Sequence, residues 1–340
     1  MADRGQAILS VHDLAVQFPG DQYVVQALEA VSIDLQAGRV LGVVGESGCG
    51  KSVTARAILR ILDHPGRIVG GRVVLDPGKP DEIDVTALAR NDPRLLDIRG
   101  GRIGLIFQEP MTALSSHYTV GNQIIESVRR HSKLSTSAAR DQAIKLLRDV
   151  GIPRAELRID AYPFQLSGGL RQRVGIALAL AGDPDILIAD EPTTALDVTT
   201  QAQILALLRR LQRQRGLALM LITHDMGVIA EMADDVAVMY LGRIVEYAPV
   251  MELFAAPRHP YTRALLRSVP TILAAPRQRL ATIGGAVPHP ARRPTGCTFH
   301  PRCTEIIPGL CANEQPAPIA PGHAGASCFR VERALQEAAS

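Results

Sequence analysis

The sequence predicts an α/β fold: a mixed sheet flanked by helices, an N-terminal antiparallel β subdomain, a helical insertion and a small C-terminal extension. Three observations carry this. Short apolar runs, Val40–Val44, Ile186–Ala189 and Leu217–Thr223, read as buried strands among stretches of helical spacing. The first run leads into a glycine-rich loop and then a helix. Past about Pro257 prolines multiply, and apolar periodicity fades after Leu266, which separates a region 1–256 from an appendage 257–340.

Taken in order, Ile8–Val11 and Val31–Leu35 read as antiparallel strands, with Phe18 and Tyr23 in the polar stretch between them. After the strand Val40–Val44 comes Gly45-Glu46-Ser47-Gly48-Cys49-Gly50-Lys51-Ser52, which matches G-x-x-x-x-G-K-[ST]. A helix Ser52–Leu62 follows, with Val53, Ala57, Ile58, Ile61 and Leu62 on one side. Gly66–Arg102 reads as strands, loops and a short helix, and Arg102–Phe107 as a buried strand ending at Gln108. Two helical patterns between Thr119 and Gly151 form the insertion, a helical subdomain over about 110–180. The helix Thr199–Arg215 stops at Gly216, and Val236–Tyr240 with Arg243–Tyr247 forms a hairpin around Leu241-Gly242.

The glycine loop defines the chemistry. Its backbone N–H groups turn inward around an anion, and the following helix points its positive end there. Lys51 reaches β- and γ-phosphates and the Ser52 hydroxyl suits Mg²⁺, so the loop, with Val53 behind it, binds a nucleoside triphosphate. A ring upstream is placed to stack on adenine, and the sequence does not choose between Phe18 and Tyr23. Asp190 and Glu191 close a buried strand, where ligands of open α/β sheets bind. Asp190 suits an outer partner for Mg²⁺ and Ser52, while Gln108 by itself reads as a surface amide. Glu191 suits the attacking water, and His224, ending the next strand, suits the γ-phosphate. Ser167, Gly168 and Gly169 open another helix able to hold phosphate. Cys49, near a helix N-terminus, is expected to have a lowered pKa and to be an ATP-protected alkylation target.

Composition narrows the function. With 340 residues and 46% apolar content the chain builds a large domain and a smaller one. A net charge of +3, no Trp and 4% aromatics give no general nucleic-acid surface. No stretch approaches ~18 consecutive apolar residues, and Met1–Gln6 carry no apolar signal region, so a cytosolic or cytosol-facing protein is expected. Of five cysteines, Cys297, Cys303, Cys311 and Cys328 crowd the C-terminal end. In a reducing compartment that argues for metal, and four thiolates suit [4Fe–4S] or zinc; their spacing does not choose.

These residues together resemble an ATP-binding cassette protein, the nucleotide-binding subunit of a transporter. Leu166 to Gln172 resembles the family signature, which implies that Ser167, Gly168, Gly169 and Gln172 face a partner's ATP. Gln108 matches the Q-loop, Asp185–Glu191 the Walker B segment, Thr194-Ala195-Leu196-Asp197 the D-loop and His224 the switch histidine. Phe107–Leu114, His259-Pro260-Tyr261-Thr262 and Pro294–Cys303 resemble the oligopeptide/dipeptide importer branch. Departures are small: Cys49 stands where Ser is common, Ser115-Ser116 replaces Asn-Pro, Leu170 replaces Met, and Phe164-Gln165 replaces His-Glu.

The resemblance implies a cassette core of the phosphate-loop type and hydrolysis of ATP with Mg²⁺ at a head-to-tail dimer contact involving Asp197. It also implies a peripheral location on the cytoplasmic face of the bacterial inner membrane. The implied partners are a second cassette, usually a different chain, two permeases and, indirectly, an extracytoplasmic solute-binding protein; no nucleic acid is among them. Members with this tail carry a [4Fe–4S] cluster, so that is the expectation at Cys297, Cys303, Cys311 and Cys328, with zinc as the alternative. The alternative functions are a cassette ATPase of DNA repair or translation and a degenerate, non-hydrolysing cassette. Intact Lys51, Asp190, Glu191 and His224 argue against the second.

Overall fold

The computed structural model describes residues 6–109, 113–194, 196–269 and 282–339. Pro110, Met111, Thr112 and Ala195, which fall in motifs quoted above, lie outside the described residues. The strands are β1 (Ala7–Pro19), β2 (Val24–Gln36), β3 (Val40–Val44), β4 (Arg67–Leu75), β5 (Ile83–Asp84), β6 (Ile103–Ile106), β7 (Ile186–Asp190), β8 (Ala218–Thr223), β9 (Asp235–Tyr240), β10 (Arg243–Pro249) and β11 (Gly325–Ala326). The chain divides into two units. One comprises Ala7–Leu35, Val40–Ala87 and Thr223–Ser340, the other Gln36–Arg39 and Leu88–Ile222.

The first unit holds the antiparallel sheet β2-β1-β4-β5 and the strands β11-β10-β9-β3. Leu9, Val11, Leu14 and Val16 bury one side of β1. A shift in the β1–β4 register between His12 and Ala15, where Asp13 has φ 46, explains the change of phase from odd to even positions. Past this bulge the strand runs on to Pro19, well beyond the expected Val11. β3 lies parallel to β9, Leu41 opposite Asp235. β9 and β10 form the expected hairpin, Tyr240 opposite Arg243. Its turn residues Leu241 (φ 43) and Gly242 (φ 72) are both left-handed, as a two-residue turn of type I′ requires. Val44, Val238, Tyr240, Tyr261 and Phe299 share one buried cluster, so C-terminal residues pack behind the strand that feeds the phosphate loop.

The helix after that loop, Lys51–Ile58, is shorter than the sequence predicts. Arg60 turns left-handed (φ 56), and its guanidinium donates to the carbonyls of Val85 (3.0 Å) and Thr86 (2.6 Å). That anchorage turns the chain away before Ile61 and Leu62 extend the helix.

The second unit holds three parallel strands in the order β8-β7-β6, with Ile103 opposite Ile186 and Ile186 opposite Ala218. The insertion is helical: Val120–His131, Thr136–Asp149, Ala155–Arg158 and Gly168–Ala179. Thr119 and Ser135 cap the first two by accepting from the N–H of Asn122 and Ala138. Ile124 and Val128, with Ala139, Ala143, Leu146 and Leu147, form their buried faces. Asp197 caps Val198–Arg215, and Gly216 (φ 65) ends it as expected. Among the described residues no helix is long and apolar enough to cross a membrane.

Candidate functional site

In the first unit the phosphate loop is an arch that glycine makes possible. A Cβ on Gly45 would overlap the Met239 carbonyl oxygen, and Gly50 (φ 108) turns left-handed to start the helix with Leu28 at its back. Lys51 is buried. Its ammonium donates to the carbonyls of Gly45 (2.8 Å) and Glu46 (3.1 Å), which places it under the arch. Ser47 and Gly48 are exposed on the crown, and Ser52 and Val53 are half-buried at the start of the helix.

Cys49 corrects an expectation. Its side chain is buried, and loss of solvation pushes the thiol up despite the nearby Lys51 charge. Desolvation outweighs the helix terminus, so Cys49 is not the activated thiol its position implied.

Phe18 is half-buried and lies against Gly66. Tyr23 is 54% exposed and meets His289 edge-on at 6.0 Å. His224 is exposed directly after β8, and Asp225 caps the next helix through the N–H of Gly227 (2.7 Å).

One feature of this arch joins residues from three separate motifs. The Glu46 carboxylate accepts two hydrogen bonds from Arg302, at 2.7 and 3.0 Å, and its N–H donates to the Tyr261 hydroxyl at 2.9 Å. Nearby, Arg293 pairs with Glu29 at 2.5 Å and donates to the Leu241 carbonyl, while the Gly242 N–H donates to the Cys49 carbonyl at 2.7 Å.

In the second unit Asp190 is buried at the end of β7 and Glu191 follows half-buried. Glu191 has φ 46, a left-handed backbone that costs a non-glycine residue ~1–3 kcal/mol. Its N–H donates to the Ile222 carbonyl at 2.9 Å, which secures that turn. The carboxylate accepts from the Gln108 amide (3.2 Å) and the Thr194 hydroxyl (2.8 Å). Gln108 and Glu191, assigned separately from sequence, are therefore in direct contact.

Ser167 and Gly168 are exposed at the start of the helix Gly168–Ala179, and the Ser167 hydroxyl makes no capping bond. Gly169 packs closely on Thr200. Arg171 braces this entry through the carbonyls of Pro163 (2.9 Å) and Phe164 (3.2 Å). Gln172 departs from expectation. It is 3% exposed and turned inward, beside Ile176 and Ala179 at helical spacing, so it does not share the exposed face of Ser167 and Gly168. Asp197 is exposed, and Thr200 donates to its carboxylate from both N–H (3.0 Å) and hydroxyl (2.6 Å), which holds its pKa low.

Cys297, Cys303, Cys311 and Cys328 line one small pocket with His259, Phe299 and Phe329. Burial pushes Cys297 up to about 11 and raises Cys303 and Cys328, each thiol also feeling its neighbours. Backbone N–H groups of Glu305 and Ile307 donate to the sulfurs of Cys303 and Cys311, both at 3.3 Å. Among the described residues no group of three or more His, Cys, Asp or Glu side chains is arranged to hold a metal ion. The donor set nevertheless fits a cluster in kind: soft thiols on one pocket, with N–H groups aimed at sulfur.

Glycine arch, lysine, strand-end carboxylates and exposed serine–glycine helix start define a phosphate-loop ATPase cassette. The sequence profile of the ABC transporter family matches residues 28–194, and that of the oligopeptide/dipeptide transporter C-terminal region matches 245–311. The chain is 48% identical over 330 residues to a probable peptide ABC transporter ATP-binding protein of Sinorhizobium fredii, covering 96% of each. It is 45% identical over 311 residues to the dipeptide transport ATP-binding protein DppD of Escherichia coli, covering 92% of each. Among solved structures it resembles the ATP-binding cassette MJ0796 in a dimeric post-hydrolysis state bound to ADP and Pi. That likeness has TM-score 0.62 at 26% identity, over 71% of this chain and 98% of that one. It also resembles cbiO1 of Clostridium perfringens, with TM-score 0.61 at 28% identity, over 74% and 92%. The chain belongs to the ATP-binding subunits of ABC transporters. The reading as a DNA-repair or translation ATPase finds no support among these relatives.

Proposed function

We propose that this chain hydrolyses ATP to drive uptake of di- or oligopeptides, or a related solute, through partner permeases. It would work at the cytoplasmic face of a bacterial inner membrane, paired with a second cassette chain and served by an extracytoplasmic solute-binding protein. The observation that carries this is end-to-end likeness: relatives named for peptide and dipeptide transport match across 92% or more of the chain, C-terminal extension included.

The roles are those that the family resemblance implies. Lys51 and the N–H groups from Gly45 to Val53 bind the phosphates, and Ser52, Gln108 and Asp190 would hold Mg²⁺. Glu191 orients and polarises water, with its carboxylate steadied by Gln108 and Thr194. His224 donates to the γ-phosphate. Ser167, Gly168 and Gly169 serve the partner's loop, and Asp197 meets the partner at the same contact. Gln172, buried, takes no part. Tyr23 rather than Phe18 offers an exposed ring for adenine. Phosphoryl transfer asks mainly for positioning and charge neutralisation, which this residue set supplies.

On this reading the cassette domain spans 1–256 and the extension 257–340, with Cys297, Cys303, Cys311 and Cys328 holding a [4Fe–4S] cluster. What supports this reading is that the four thiols line one small pocket and that thiolates are the ligands such clusters take. The cluster would cross-link a Pro-rich segment short of core residues.

Reconstitution tests the transport reading. Proteoliposomes containing this chain, a second cassette chain and two permeases should accumulate labelled dipeptide only with ATP and binding protein. ATP turnover without accumulation of any di- or oligopeptide would overturn the assignment of solute.

A further inference from the structure

The C-terminal extension grips the phosphate loop itself. Glu46 is the second residue of the loop and is held at three points. Its carboxylate takes a two-pronged bond from Arg302, with Nη1 to Oε2 at 2.7 Å and Nη2 to Oε1 at 3.0 Å. Its N–H donates to the Tyr261 hydroxyl at 2.9 Å, and its carbonyl accepts from the Lys51 ammonium at 3.1 Å. The residue that positions the lysine is thus fixed from behind by two residues far along the chain.

Arg302 is held in turn. Its side chain is 3% exposed, its Nε donates to the Gly284 carbonyl at 3.0 Å, and its guanidinium lies 5.8 Å from the centre of the Tyr240 ring. Tyr240, Tyr261 and Phe299 pack together with ring centres 4.7 to 5.3 Å apart. A forked arginine–carboxylate pair with its guanidinium buried and its carboxylate 25% exposed fixes geometry as well as charge. An exposed pair would not, because solvent and side-chain entropy would loosen it. The 3-10 turn His300–Arg302 that presents Arg302 lies between Cys297 and Cys303, so the cysteine pocket and the loop share one short support.

We infer that Arg302 is a positioning residue for nucleotide binding: through Glu46 it sets the arch in which Lys51 meets the phosphates. This rests on the ATPase reading above. Arg302 touches no nucleotide; it acts through the loop.

The test is a double-mutant cycle on the full chain with Arg302→Met, Glu46→Gln and the pair, reading the Kd of a fluorescent ATP analogue and the melting temperature. Each single change should weaken binding about tenfold, below the ~10²-fold cost of a full 1 Å misplacement. The pair should be no weaker than either single change, since both break one contact. Arg302→Lys, which keeps the charge and loses the fork, should fall between. Should Arg302→Met fail to fold, Glu46→Gln and Tyr261→Phe carry the test. Unchanged affinity in the variants, even with a lowered melting temperature, overturns the inference, as do effects that multiply. Wild type and Lys51→Ala separate the two levels. If wild type binds no ATP analogue, the ATPase reading fails; if it binds and only Lys51→Ala weakens, the link alone fails.

Discussion

Replacing Gly45 by alanine should damage ATP turnover as well as stability. The added Cβ would overlap the Met239 carbonyl oxygen, lie 3.2 Å from the carbonyl carbon and 2.8 Å from Cys49 Sγ. Carbon contacts settle at ~3.5–4.0 Å, so the shortfall is about 1 Å. Met239 lies on β9, paired on both sides, and cannot retreat. The loop must therefore lift, at an overpacking cost of ~1–3 kcal/mol. A displacement of that size at a site that works by positioning costs ~10²-fold in turnover. Gly216→Ala is the control: it is left-handed (φ 65), meets nothing within 4 Å, and lies outside the site. It should cost ~1 kcal/mol of stability and leave nucleotide affinity alone. Nucleotide titration, phosphate release and thermal melting on the two variants make the comparison. Wild-type ATP affinity and turnover in Gly45→Ala would refute the steric argument.

Cys49, buried with its thiol pushed up, should react with maleimide far more slowly in the native protein than after denaturation; fast native labelling at neutral pH would contradict its placement. Leu146→Ala should cost ~2–5 kcal/mol in a denaturant titration, because the side chain is 1% exposed in the helical insertion. Anaerobically purified protein should contain iron and acid-labile sulfide in equal amounts, lost on Cys303→Ser. Stoichiometric zinc instead would end the cluster reading.

What the sequence made legible was local. Gly216 announced its own left-handed helix stop, and Leu241-Gly242 its hairpin turn, because those conformations depend on a few adjacent residues. The phosphate loop carried its chemistry in eight consecutive residues. Burial and contacts between distant parts of the chain decide most of the rest. Cys49 was judged by the helix terminus beside it, but burial fixes its thiol. Gln172 was judged by its place in a motif, although Ile176 and Ala179, four and seven residues on, already marked an inward face. The helix after the loop ends four residues before its apolar spacing does, because the anchorage of Arg60 on Val85 and Thr86 leaves no periodic trace. The grip of Arg302 on Glu46 spans 256 residues, and nothing near either residue names the other.

The central claim is that Glu191, at the end of β7, directs water in ATP hydrolysis. The direct measurement is ATP affinity and phosphate release by Glu191→Gln beside wild type. The amide keeps the side chain's size and its acceptor for Thr194, so ATP should bind with wild-type affinity, while turnover falls by ~10²-fold or more. Turnover near the wild-type rate would contradict the account.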